Sequence, residues 1–314
     1  MKWGLIGYGR IAQKFEKSIA ASPHSEIVAV ASRSKYENIP SEYARYDTYA
    51  GLVEDAEVEI VYVCTPHNFH KEHSLLALRG GKHVLCEKPM GVSTTEVDEM
   101  YSVARGENRF LMEAVWSRFL PGYEKAMSIV QSGQIGAPLY VDASFGFAMD
   151  VTNPKPRLLQ KNLAGGAIWD VGIYPISLTQ DVFGLSPSHC QTLGACLDTG
   201  VESRALIQLK YGGGRLAKLS CAFDLQLPNQ ATIIGTSGRI IMDDFWKCER
   251  FRTIIEGETT EYHEPMVATG LYHEIIACEK YISQGYLESD RMGYDHSMDL
   301  AKTMDLAIQQ ARES

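Results

Sequence analysis

The sequence predicts an α/β fold: a doubly wound parallel sheet, followed by an α+β half built on an antiparallel meander. Three observations predict it. Short runs that are apolar on both faces alternate with helix-period segments as far as Trp116, which is the grammar of a parallel sheet covered on both sides. A glycine turn joins the first run to the first helix. Beyond "RFLPGYEKAMSIVQSGQIG" strand follows strand across Gly-rich turns, which indicates antiparallel pairing.

In order, "KWGLIG" reads as a strand and residues 10–22 as a helix with Ile11, Phe15 and Ile19 on one stripe. "EIVAVAS" and "EIVYVCTP" are strands, residues 69–79 a helix, "HVLCE" a strand, 93–105 a helix and "RFLMEAV" a strand. In the second half "PLYVDASFGF", "SRALIQLKY", "RLAKLSCAF", "QATIIGTSG" and "RIIMDDFW" form an expected antiparallel meander, turning at "YGGGR" and "GTSGR". Helices are expected at about 268–284 and 295–312, and the domain boundary falls at residues 118 and 119.

A chain of 314 residues with 45% hydrophobic and 22% charged content has a globular composition. Its formal charge of -9 at pH 7 disfavours attraction to nucleic acid or an anionic membrane. The seven cysteines, at 64, 86, 190, 196, 221, 248 and 278, are odd in number and several stand in apolar runs, which suits reduced thiols in a core. No apolar stretch approaches a membrane span, and "MKWGLIGYG" leads straight into folded-looking sequence, so a cytoplasmic protein is expected.

"GLIGYGRIA" sets Gly7, Gly9 and Ala12 in a G-x-G-x-x-A pattern between strand and helix. The first glycine permits a tight turn, the second lets a pyrophosphate approach the backbone, and the small third residue lets helix and strand pack closely. Gly7, Gly9, Arg10 and Ile11 are therefore expected cofactor contacts. An NAD site usually carries a carboxylate at the end of the second strand; here "VASRSK" offers Ser32, Arg33, Ser34 and Lys35 instead. Donors and positive charge suit a 2'-phosphate and favour NADP(H) over NAD(H), unless Arg33 and Lys35 are solvated loop charges.

In "HVLCEKPMG" a core strand ends in Glu87, Lys88 and Pro89. Ligands of doubly wound sheets lie outside the carboxyl ends of the strands, so Lys88 can face a cleft and Glu87 a cofactor ribose. Thr65, Pro66 and His70 of "TPHNFH" follow another strand end and are expected to line the same cleft. His67 and His70 lack the further ligands of a zinc-type site, and no metal is expected.

Together "GLIGYGRIA", "TPHNFH", "CEKPM", "MEAVWSRFLP", "GGAIWDVGIYP" and "ATIIGTSGRI" resemble the glucose-fructose oxidoreductase and inositol dehydrogenase (Gfo/Idh/MocA) superfamily. Within it the chain is most similar to the branch of dimeric dihydrodiol dehydrogenases and NADP-dependent xylose dehydrogenases. The resemblance implies an NAD(P)-binding Rossmann domain over 1–118 and an α+β substrate-binding and oligomerisation domain over 119–314, whose large, mainly antiparallel open sheet forms a homodimer or higher homo-oligomer. It implies Lys88 beside the nicotinamide and an acid/base after the "GG" turn, where many relatives carry histidine and this chain has Tyr174.

The residues agree with that implication. Asp170 and Tyr174 are four apart on an expected helix and share a face. Oxidising an alcohol requires a base; a phenol with an ordinary pKa of about 10 needs activation, which a neighbouring ammonium supplies. The expected roles are Tyr174 as proton acceptor, Lys88 as activator, and Asp170 as a polar substrate contact or else a structural ion pair. Trp116, Arg118 and Arg157 are candidate substrate contacts, with interdomain packing an equal account of the first two. The expected activity is hydride transfer between NAD(P) and a hydroxyl of a sugar, polyol or cyclic diol. Two rivals keep the fold: a glycosidase-like enzyme using the nicotinamide as an internal relay, and a nonenzymatic NADP-sensing regulator.

Overall fold

A computed structural model describes residues 1–33 and 39–313. The chain divides into two compact units, Met1–Trp116 with Met266–Met298, and Ser117–Pro265 with Asp299–Ser314.

The first unit runs β1 (Lys2–Ile6), α1 (Arg10–Ile19), β2 (Glu26–Ala31), β3 (Ala44–Tyr46), α2 (Tyr49–Glu54), β4 (Ile60–Val63), α3 (His70–Arg79), β5 (His83–Glu87), α4 (Thr94–Gly106) and β6 (Leu111–Ala114). All pairings are parallel, in the order β3-β2-β1-β4-β5-β6. β1 lies between β2 and β4, so chain direction across the sheet reverses there, and the carboxyl end of β1 is a topological switch point. The apolar stripe of α1 buries Ala12, Phe15 and Ile19, with the Phe15 ring stacked on Tyr62 and edge-on to Trp3. α4 is capped by side chains at its start: Ser93 Oγ accepts from Glu96 N at 3.3 Å, and Glu96 Oε2 reaches back past the N-cap to accept from Val92 N at 2.9 Å.

The second unit opens with α5 (Pro121–Gln131), whose first turn accepts a proline, and β7 (Pro138–Gly146). It continues through α6 (Ile173–Phe183), β8 (His189–Cys196), β9 (Glu202–Lys210), β10 (Leu216–Ala222), β11 (Gln230–Gly235), β12 (Gly238–Asp243), β13 (Arg250–Ile255) and β14 (Glu258–His263). The sheet order is β14-β13-β12-β11-β7-β10-β9-β8. The expected antiparallel pairing holds for β9 with β10 and for β11 with β12; β8, β13 and β14 are strands beyond the expected ones and extend it on either side, and β10 pairs with β7 in parallel. The long segment after β7 carries α6 across the sheet, and the chain re-enters through β8 and β9 so that β10 runs beside β7 in the same direction. α6 packs on β7 and β10 and is buried over nearly its whole length. Two helices close the chain, α7 (Tyr272–Ser283) in the first unit and α8 (Tyr294–Glu313), which ends in the second. Among the described residues no helix is long and apolar enough to cross a membrane.

Candidate active site

In the first unit the expected cofactor residues follow the carboxyl ends of β1, β2, β4 and β5. Gly7 has φ +99°, and a Cβ there would meet the Cys64 carbonyl oxygen at 2.9 Å. Both facts select glycine. Gly9 caps α1 with no side-chain bond to the helix amides, and a Cβ on it would find nothing within 4 Å. Open space over uncapped N–H groups is the cradle that a pyrophosphate fits. Arg10 is exposed and Ile11 half-buried at the same helix start.

At the end of β2, Ser32 is buried and Arg33 exposed; Ser34 and Lys35 lie outside the described residues. The Arg33 guanidinium stands 5.4 Å from the centroid of the Phe69 ring. Behind it His73 stacks on Phe69 and accepts or donates at Thr65 Oγ1 over 2.9 Å. Burial, then the Arg33 charge, lowers the His73 pKa to about 4, so that at neutral pH this ring adds no positive charge beside the guanidinium.

His70 is fully buried, its Nδ1 2.7 Å from Pro89 O and its Nε2 2.8 Å from Thr65 O. It thus ties the loop after β4 to the loop after β5, with both ring nitrogens directed at backbone rather than at a cleft. Lys88 is half-buried and the Lys88-Pro89 peptide is cis. The Glu87 carboxylate accepts from the Tyr62 hydroxyl and from Lys88 N, the latter at 3.2 Å. Trp116, half-buried, packs against Gly270, where a Cβ would come within 2.4 Å of the indole.

In the second unit Asp170 and Tyr174 are reached through a helix that does not begin as an α-helix. Residues Ile168–Gly172 form a π-helical turn leading into α6, so the simple four-residue face expected from the sequence is replaced by a wider turn. The Asp170 carboxylate pairs with Arg157 at 3.1 Å. Tyr174 is buried beside Phe145, and Phe145 stacks on Trp246 with centroids 3.9 Å apart. Neither Phe145 nor Trp246 was singled out in the sequence. "RIIMDDFW" read as one strand, whereas β12 stops at Asp243 and Asp244 adopts φ +47°, turning Phe245 and Trp246 out of the sheet. The Asp-Asp pair was the available turn signal.

Arg118 lies in the second unit, packed against α6. It is 2% exposed, and its guanidinium bonds Ser177 Oγ at 2.8 Å and Gln180 Oε1 at 2.7 Å and pairs with Asp181 at 3.2 Å. A guanidinium so engaged braces α6, which is the packing account of this residue.

Comparison with known proteins follows the same division. A profile of the oxidoreductase family with an NAD-binding Rossmann fold matches residues 1–115, and one of the GFO/IDH/MocA C-terminal domain matches residues 123–241. The trans-1,2-dihydrobenzene-1,2-diol dehydrogenase of Danio rerio is 35% identical over 99% of this chain and 96% of that protein. The chain belongs to the Gfo/Idh/MocA oxidoreductase family. The Homo sapiens dehydrogenase of the same name is also 35% identical, over 95% of this chain and 90% of its own length. Among solved structures, an aldose-aldose oxidoreductase from Caulobacter crescentus superposes with a TM-score of 0.90 at 24% identity, covering 100% of this chain and 98% of that one. A 3-ketoreductase from Actinomadura kijaniata, solved with NADP, gives 0.84 at 24% identity over 99% and 97%. At that identity the superpositions establish the fold. As a member of this family, the chain is an NAD(P)-dependent dehydrogenase.

Proposed function

We propose that the protein is an NADP-dependent dehydrogenase acting on a secondary or hemiacetal hydroxyl of a sugar, polyol or cyclic diol, with Tyr174 as acid/base and Lys88 as its activator. The observation that carries the reading is the edge of the parallel sheet, where Gly7, Gly9, Arg33, Thr65 and Lys88 all follow strand ends that a doubly wound fold uses for ligands. The similarity to dihydrobenzene-diol dehydrogenases supports the diol class.

The first unit is the nucleotide-binding part in this reading. Backbone amides at Gly9 and Arg10 hold the pyrophosphate, and Ser32 with Arg33 recognise the 2'-phosphate, which a guanidinium fork matches better than an ammonium would. NADP, when bound, supplies the hydride acceptor. Tyr174 takes the hydroxyl proton; an ordinary phenol titrates near 10, and the Lys88 ammonium favours its ionised form, each unit of lowering being worth about 1.4 kcal/mol. The rings of Phe145 and Trp246 beside Tyr174 offer an apolar wall against the flat face of a cyclic substrate. Asp170, neutralised by Arg157, orients a second substrate hydroxyl.

We also assign a homodimer to the outer face of the large sheet, where Leu216 and Ile234 flank Tyr140 in register and Leu193 is exposed on β8.

The test is a panel of aldoses, inositols and cyclic diols with NADP and with NAD, followed at the nicotinamide absorbance, with Lys88→Ala and Tyr174→Phe alongside. The expected result is stoichiometric NADPH formation by the parent and cofactor binding without turnover by both variants. Product without net NADPH would point to an internal relay, and binding without turnover by the parent would point to a sensor.

A further inference from the structure

We propose that Arg312, in the last turn of α8, is a positioning residue for the segment that carries Asp170 and Tyr174, acting through the buried carboxylate of Glu202. The proposal rests on the assignment of Tyr174 above and extends it to the last turn of α8.

Glu202, on β9, is fully buried, and no water-facing side relieves its charge. Its Oε1 accepts from Ile168 N at 3.3 Å, which satisfies an amide at the start of the π-helical turn that no side chain of that turn caps. Its Oε2 receives both Arg312 Nε at 2.9 Å and the second guanidinium nitrogen at 2.8 Å. That second nitrogen also reaches the Gly165 carbonyl at 3.3 Å. One guanidinium therefore neutralises the carboxylate and holds the glycine turn.

The glycines are shaped to this pair. Gly166 has φ +132°, and a Cβ on it would stand 2.1 Å from Glu202 Oε1. The "GG" of "GGAIWDVGIYP" thus makes room for a carboxylate from β9. The last turn of α8 is itself seated: Gln310 Nε2 donates to Cys190 O at 3.2 Å, and a Cβ at Gly194 of β8 would meet Ala311 O at 2.5 Å. Among the described residues, the buried Cys221 thiol on β10 also faces Glu202, and its pKa is raised by burial first and then by the Glu202 charge. The turn itself contributes Asp170, already paired with Arg157. Burial raises the Glu202 pKa, and Arg312 acts against that rise.

With Arg312 removed, the carboxylate is left buried and charged beneath the turn until a proton neutralises it. Arg312→Met is expected to lower kcat at least tenfold at about pH 8, with the ratio of variant to parent kcat rising toward one as the pH falls to about 6. Glu202→Gln combined with Arg312→Met removes both charges and keeps an acceptor for Ile168 N, while the contact to Gly165 O is lost as in the single variant; its kcat is expected well above that of Arg312→Met, with a ratio to the parent independent of pH. Arg312→Lys keeps the charge and loses the fork, giving an intermediate kcat. The KM for NADP stays unchanged in all three. Backbone amide hydrogen exchange over residues 168–174 supplies a readout independent of turnover: protection falls in Arg312→Met and returns in the double variant. A parent without turnover on any substrate sinks the proposed reaction, and the exchange data then decide this proposal alone. Unchanged kcat, pH profile and exchange in Arg312→Met overturn it, as does a double variant as impaired as the single one.

Discussion

Glu274→Gln is expected to stabilise the protein by an amount that grows with pH. Glu274, on α7 in the first unit, is fully buried, and neither of its carboxyl oxygens has a hydrogen-bond partner. Burial, and then the charge of Glu87, raise its pKa well above 4.5, so the folded chain holds the proton that the unfolded chain gives up. The native state therefore binds more protons than the unfolded one between the two pKa values, and stability falls as pH rises across that window by about 1.4 kcal/mol per unit. Over any two pH units inside that window the cost of the carboxyl is roughly 3 kcal/mol. In a unit of roughly 150 residues this corresponds to a Tm difference of roughly 5–10 °C. Glutamine has the same shape and does not titrate. Melting curves of parent and variant at matched pH should coincide at the acid end and diverge steadily toward alkaline pH, the variant melting higher. Parallel curves at every pH, or a parent that is more stable at pH 8, would refute the reasoning.

Other perturbations separate the remaining contacts. Arg33→Ala should raise the KM for NADP about 10- to 100-fold through lost charge-assisted bonds, with little change for NAD; Phe69→Ala, which removes only the ring under the guanidinium, should raise it about two- to fivefold. Equal losses for both nucleotides, read from Michaelis constants, would refute 2'-phosphate recognition. Arg118→Met leaves Asp181, Gln180 and Ser177 without their shared partner and should cost about 3 kcal/mol in urea denaturation; a loss below about 1 kcal/mol counts against the bracing role. Leu216→Lys places a charge in the exposed row on the large sheet and should convert a dimer to a monomer in sedimentation analysis, and an unchanged mass would exclude that face.

The first unit was legible because its strands are apolar on both faces and its turn glycines have local causes, Gly7 by its φ and by the nearby Cys64 carbonyl. What local pattern did not show was set by distant chain. β3 has three residues, all at least partly exposed, and β14 ("ETTEYH") is a polar edge strand, so neither carries the hydrophobic alternation that marks a strand. α7 reads as a helix, yet nothing in its periodicity says that it joins the first unit, through bonds such as Ser18 Oγ to Thr269 Oγ1 at 2.6 Å just before it and Ser22 Oγ to Glu279 at 3.1 Å. The parallel β7-β10 pair is likewise invisible, because pairing direction depends on the path between strands. In the site, residue types were readable and partners were not. Arg118 and Arg157 are both arginines near expected helices, but one is buried among α6 side chains and the other half-exposed on Asp170. Phe145 and Trp246 are adjacent only after folding.

The central claim is that Tyr174 moves the proton. Its most direct test is kcat for Tyr174→Phe on a substrate the parent oxidises, measured with NADP saturating and with NADP affinity determined separately by fluorescence. The account predicts a kcat lowered about 10²- to 10⁴-fold with cofactor affinity within about threefold of the parent. Turnover by the phenylalanine variant within a few-fold of the parent would contradict it.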